Sequence, residues 1–215
     1  MKLYTLGHAT MSLEAFVAVL QANGIEQVAD IRSIPRSRRN PQFNRNALPA
    51  SLTRTGIAYT HLARLGGRRS RSKDLPAGCS PNGAWEKESF RNYADYALTP
   101  PFREGLAELV ELGSRPTAAM CAEAVWWRCH RRIVADYLLT RGWTVLHLVP
   151  PALPTPHRLT AFAEIQSDGT IAYPAREEAT HLPEIMPVAS DSKLGDPTDW
   201  NSEAGRLREP IEVSP

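Results

Sequence analysis

The first thirty-one residues constrain the fold more tightly than any other part of the chain. Lys2 to His8 reads as a strand ending in Gly7-His8, and Gln27 to Ile31 is a second short apolar run. Between them Leu13, Phe16, Val17 and Leu20 recur at i, i+3, i+4 and i+7, one face of a helix, and Asn23-Gly24 supplies its stop. Strand, helix, strand is a βαβ unit, whose strands run parallel with a right-handed crossover. A parallel sheet needs helices on its faces, so the expected architecture is a single α/β domain with a mainly parallel sheet flanked by helices. In such sheets ligands bind beyond the carboxyl ends of the strands.

The rest of the chain extends this pattern. A Pro/Arg/Asn loop runs from Ser33 to Asn46, a short helix covers Leu48 to Arg54, and Ile57 to Leu62 looks like a strand. Ala63 to Ala84 reads as a long loop; Phe90, Tyr93 and Ala97 mark a helix, and Pro101 with Phe102, Leu106, Leu109 and Val110 marks the next. Thr117 to Cys121 is a buried-type strand, His130 to about Thr140 a helix, and Thr144 to Val149 another strand. Asp168-Gly169 suggests a hairpin. We place the catalytic domain at 1–175. Residues 176–215 carry nine acidic residues against four basic ones and are expected to form a proline-containing tail, partly disordered or packed on the surface.

Three cysteines with no close pair argue against a disulfide framework. No apolar run reaches bilayer length, and the start lacks the form of a signal peptide, so the expectation is a cytoplasmic chain with no membrane partner. Charge is sharply uneven. From Ile31 to Lys73 there are ten arginines and one lysine with no Asp or Glu. A compositional bias toward arginine accounts for 21 arginines against four lysines, but not for 43 residues without a carboxylate. Clustered guanidinium groups grip phosphates bidentately, which makes DNA the expected partner, held through the Arg32–Lys73 stretch. These basic loops fall at the carboxyl ends of the predicted strands.

Three strands end in reactive polar residues: His8, then Asp30-Ile31-Arg32, then Cys121-Ala122-Glu123. The following helix opens with Cys129-His130-Arg131, and its N-terminus favours anions. Each piece also has a plainer reading. His8 can cap a strand, Asp30 and Arg32 can be a structural ion pair, and Cys121 can be a small core residue. Glu123, just past an apolar strand, reads as a buried carboxylate and so as functional. Cys129 sits where a thiol is acidified. Trp126 and Trp127 form either a lid or a stacking surface. Without a C-x-x-C pair, no metal site is expected, and neither a Walker loop nor a dinucleotide fingerprint suggests a cofactor.

These residues resemble, in order, the motifs of the domain-of-unknown-function family 488. They are Thr5-Leu6-Gly7-His8, Asp30-Ile31-Arg32, Pro35-Arg36-Ser37-Arg38 with Phe43, Gly56-Ile57-Ala58-Tyr59, Leu65-Gly66-Gly67, Cys121-Ala122-Glu123 and Cys129-His130-Arg131. The likeness runs from about Thr5 to Leu148 and departs at Ala124 to Arg128, where two tryptophans replace a more polar stretch. It implies an α/β fold and a link to DNA, including removal of modified pyrimidines.

The function this favours is a hydrolytic DNA glycosylase excising an oxidised or hypermodified pyrimidine. Asp30 or Glu123 would stabilise the developing positive sugar or activate water, and His130 or His8 would protonate the departing base. Arg32, Arg36, Arg38, Arg39, Asn44, Cys129 and Arg131 would hold the substrate, while Phe43, Tyr59, Trp126 or Trp127 would stack on the flipped base. Lys2, Lys73, Lys87 and Lys193 lie at poor positions for a Schiff-base mechanism. Two alternatives remain: a rhodanese-like sulfurtransferase using Cys121 or Cys129, and a non-catalytic nucleic-acid-binding module.

Overall fold

The structure, a computed structural model, describes residues 1–72 and 79–175. The predicted tail at 176–215, Lys73 and part of the Ala63–Ala84 loop lie outside the described residues. The chain runs β1 (Lys2–Gly7), α1 (Leu13–Ala22), β2 (Gln27–Asp30), α2 (Leu48–Thr53), β3 (Ala58–His61), α3 (Glu88–Ala97) and α4 (Pro100–Leu112). It continues through β4 (Thr117–Cys121), α5 (Arg131–Leu139), β5 (Thr144–Leu148) and β6 (Thr155–Pro156) to a small hairpin, β7 (Glu164–Ile165) and β8 (Ile171–Ala172). Among the described residues, no helix is long and apolar enough to cross a membrane.

Six strands form one sheet in the order β3-β2-β4-β1-β5-β6. The first five are parallel and β6 is antiparallel. The opening βαβ unit is therefore present, but its two strands are not neighbours. β4 lies between them, with Gly7 opposite Cys121 on one side and Asp30 opposite Met120 on the other. The chain leaves β1 toward β2 and leaves β4 toward β5, in opposite directions across the sheet, and a cleft opens where such paths diverge.

Period-two alternation along the strands sorts the core into two layers. Leu6, Val28, Ala118 and Met120 pack with Phe16 and Leu20 of α1 and Leu48 and Leu52 of α2. Leu3, Ala29, Ala119 and Val145 pack with Phe102 and Leu106 of α4 and Ile133 and Leu138 of α5. Each fully buried Leu, Ile or Phe contributes about 1.5–3 kcal/mol relative to exposure. Ser12 caps α1, its hydroxyl accepting from the Ala15 amide at 3.1 Å, and Gly24 turns the chain out of the helix at φ 62°.

The second layer contains a polar chain that no sequence motif announced. Asp136, fully buried on α5, accepts hydrogen bonds from His157 Nε2, the Thr160 amide and the Tyr173 hydroxyl, each at 2.9 Å. His147 Nε2 donates to His157 Nδ1 at 3.0 Å, and the Thr5 hydroxyl donates to His147 Nδ1 at 2.7 Å. One run of bonds thus ties β1, β5, α5 and the segment around the hairpin together. Burial, followed by the nearby His157, pulls His147 down to about 3, so it is neutral, as its two roles require.

Candidate active site

A cavity of about 460 Å³ opens at the carboxyl ends of β1, β2 and β4. His8, Arg32, Cys121, Glu123, Cys129 and His130 all line it, so three segments distant in sequence meet in one place. Two glycines permit the approach. A Cβ on Gly7 would lie 1.7 Å from the Glu123 carbonyl oxygen, and one on Gly67 would lie 2.3 Å from His130 Nδ1.

Asp30 is fully buried and its carboxylate is committed. Its Oδ1 accepts from the Arg32 amide at 3.0 Å and Arg32 Nε at 2.8 Å; Oδ2 accepts from Arg32 Nη2 at 2.6 Å and the Tyr59 hydroxyl at 2.7 Å. Arg32 Nη2 also donates to the Phe43 carbonyl at 2.7 Å, and Nη1 donates to His8 Nε2 at 3.1 Å. His8 Nδ1 then carries the proton and donates to the Ala9 carbonyl at 3.0 Å. Burial, reinforced by the Arg32 charge, pulls His8 down to about 4 and keeps it neutral. Asp30 and His8 therefore act by holding Arg32 against the cavity.

The thiols make a second cluster. His130 Nε2 donates to the Ile31 carbonyl at 2.9 Å, which turns Nδ1 toward Cys129 Sγ at 3.4 Å and Cys121 Sγ at 3.9 Å. Arg131 Nε donates to Cys129 Sγ at 3.4 Å, and its Nη2 reaches the Glu123 and Ala124 carbonyls. Burial on its own raises the Cys129 thiol, but the Cys121 hydrogen bond, His130 and Arg131 outweigh it and hold Cys129 well below the usual thiol range. The same hydrogen bond, followed by burial, pushes Cys121 well up. Cys129 is thus the more acidic thiol of the pair, and Cys121 the one placed to donate to it.

Several assignments change on this geometry. Glu123 is exposed, because the chain leaves the sheet at Cys121; it stands at the cavity mouth. Phe43 is fully buried and stacked on His8 at 4.1 Å, and the Tyr59 hydroxyl is bound to Asp30, so neither ring faces the cavity. Trp126 stacks on His147 at 4.0 Å, and Trp127, 48% exposed, packs edge-on against Trp126; both lie off the cavity wall. Asn44 accepts from the Ser37 amide at 2.6 Å, which shapes the loop. Arg36 lines the cavity, whereas Arg38 and Arg39 are exposed beside it; Arg131 is 1% exposed and works within the protein.

Arg68, from the basic stretch expected to hold DNA, also lines the cavity, as do Arg128, Phe90 and Tyr93, which were not among the expected site residues. The basic run and the helical spacing of Phe90 and Tyr93 were visible in the sequence, but their direction was not. Among the described residues, Arg36, Arg68 and Arg128 make no ion pair, which leaves an electropositive wall. Without a C-x-x-C pair, the sequence carries no sign of a metal site. The fold nevertheless brings one ligand atom each of Cys121, Cys129 and His130 within 4.8 Å of one another.

Fold and site together define an α/β protein with a cysteine–histidine cleft at the carboxyl ends of a parallel sheet. The chain belongs to the family described as domain of unknown function DUF488, whose model matches residues 12–138, more than half of its length. No curated protein and no solved structure matches it.

Proposed function

We propose that the cleft is the active site of a hydrolytic DNA glycosylase acting on a modified pyrimidine. The observation that carries this reading is the cavity itself, with Arg36, Arg68 and Arg128 on its wall and Glu123 at its mouth. Its volume is in the range that encloses a small ligand or an extruded base. The arginines grip flanking phosphates. Glu123 is the carboxylate left to stabilise positive charge on the sugar or to take a proton from water, since Asp30 is engaged with Arg32 and Tyr59. Phe90 supplies the aromatic face that Phe43 and Tyr59 cannot.

The test is incubation with duplex oligonucleotides carrying a panel of modified pyrimidines, followed by alkali. Strand breaks at one modified base, lost in Glu123→Gln while salt-sensitive binding survives, are the expected result. Binding without breaks would reduce the protein to a nucleic-acid-binding module, and absence of both would remove DNA as partner.

A second reading, thiol-dependent sulfur transfer, draws on the 3.4 Å approach of Cys129 Sγ to His130 Nδ1. It predicts transfer of sulfur from thiosulfate to cyanide, abolished in Cys129→Ser.

A further inference from the structure

We propose that Cys121, Cys129 and His130 form a binding site for a borderline-soft divalent transition metal, zinc by the chemistry of the donors. Two thiols and an imidazole are the set that zinc selects over magnesium or calcium. The spacing fits. With zinc–sulfur bonds of about 2.3 Å and zinc–nitrogen bonds of about 2.0 Å, a tetrahedral site separates sulfur from nitrogen by about 3.5 Å. The structure holds His130 Nδ1 at 3.4 Å from one sulfur and 3.9 Å from the other, with all three donors within 4.8 Å.

The surroundings are those of a metal site as well. His130 Nε2 is fixed on the Ile31 carbonyl, which leaves Nδ1, on the side of the sulfurs, as the nitrogen that a metal would take once its proton is displaced. Arg131 Nε donates to Cys129 Sγ, the outer contact that a metal-bound thiolate accepts. Gly67 lies so close to the His130 ring that any side chain there would displace it. All three donors line the cavity, so a fourth coordination position would face the space that Glu123 borders. Three protein ligands with one position turned to a substrate cavity is the pattern of a catalytic zinc, where a bound water becomes acidic near neutrality. The loop from Ala122 to Arg128 hides the pattern in sequence, because it sets the two cysteines farther apart than a zinc knuckle would.

This site stands independently of base excision, and its test reads the metal directly. The full chain, purified with reductant and without chelator, should contain one zinc per molecule. Cobalt(II) titrated into the metal-freed chain should give visible bands of tetrahedral geometry and thiolate-to-cobalt charge transfer. A thiol reagent should find Cys79 alone before chelation and all three cysteines after it. Cys79→Ser should leave the cobalt spectrum unchanged, while Cys121→Ser and Cys129→Ser should weaken uptake by more than about 100-fold. An octahedral cobalt spectrum, three reactive thiols in the untreated protein, or a Cys121–Cys129 disulfide that forms in place of metal uptake would overturn the proposal. The cobalt titration and thiol count need no variant, so misfolding of a serine substitution does not blunt them. Loss of base excision with an intact cobalt spectrum condemns the function alone, and the reverse condemns the metal alone.

Discussion

Replacing Asp30 by Asn removes one charge and leaves the shape nearly unchanged. Asp30 is fully buried and Arg32 is 6% exposed, and the carboxylate accepts four hydrogen bonds, three of them from Arg32. An amide in its place turns an NH2 group toward a guanidinium or a tyrosine hydroxyl, so donor meets donor. Breaking a buried pair from one side costs about 3–5 kcal/mol, because a charge is left without its partner. For a chain of this size each kcal/mol lowers the melting temperature by about 2–4 °C, so Asp30→Asn should melt about 6–20 °C lower. The double variant Asp30→Leu/Arg32→Met, which removes both charges, should lose less than the single one. Thermal unfolding followed by circular dichroism measures both. A single variant melting within about 2 °C of the parent, or a double variant less stable than the single, would refute the view that Asp30 serves to neutralise and aim Arg32.

Other outcomes follow from the same geometry. His147 is held near 3 by burial and binds a proton only on unfolding, so stability present above about pH 6.5 is lost as pH falls; urea unfolding at pH 7 and 5 should differ by up to about 2 kcal/mol from this residue, and His147→Gln should remove that part while leaving the part that His8, held near 4, contributes. Gly67→Ala places a methyl 2.3 Å from His130 Nδ1, so it should cost about 1–3 kcal/mol in urea unfolding and shift the His130 ring resonances; unchanged resonances would count against the close approach. Trp127→Ala should alter stability by less than about 0.5 kcal/mol, whereas Trp126→Ala, which strips the stacked ring from His147, should cost more than about 1 kcal/mol in the same assay. Arg36→Gln, Arg68→Gln and Arg128→Gln should each lower the salt slope of oligonucleotide binding by about one, and an unchanged slope would show that the wall does not meet phosphate.

What could be read in advance followed from periodicity and strand ends. Leu13, Phe16, Val17 and Leu20 announced α1, and the polar residues after β1, β2 and β4 announced a shared cleft, because strand ends in a parallel sheet point the same way. Strand order was hidden: nothing local in Thr117–Cys121 says that it inserts between β1 and β2. The aromatic residues misled because residue type does not specify direction. Phe43 and Tyr59 point inward to complete the shell around Asp30 and His8. Glu123 was expected to be buried on the strength of its apolar predecessors, yet the strand had ended two residues earlier. Asp136 has a trace in the sequence, an acid on the apolar face of α5 between Val134 and Tyr137.

The place of β4 also governs how the molecule comes into being. It joins β1 to β2 in the sheet but follows both in the chain, so synthesis delivers the outer strands long before the one between them. Until Thr117–Cys121 emerges, Tyr4 to Gly7 and Gln27 to Asp30 have backbone groups facing each other across a missing strand, and such unpaired edges invite wrong partners. The same event that fills the gap between β1 and β2 carries Cys121 to its place beside His8 and Arg32, and the helix that follows brings Cys129 and His130. Cleft and the centre of the sheet are therefore completed together, before β5 and β6 add beyond β1, and a nascent chain halted ahead of Thr117 has open strand edges and no site.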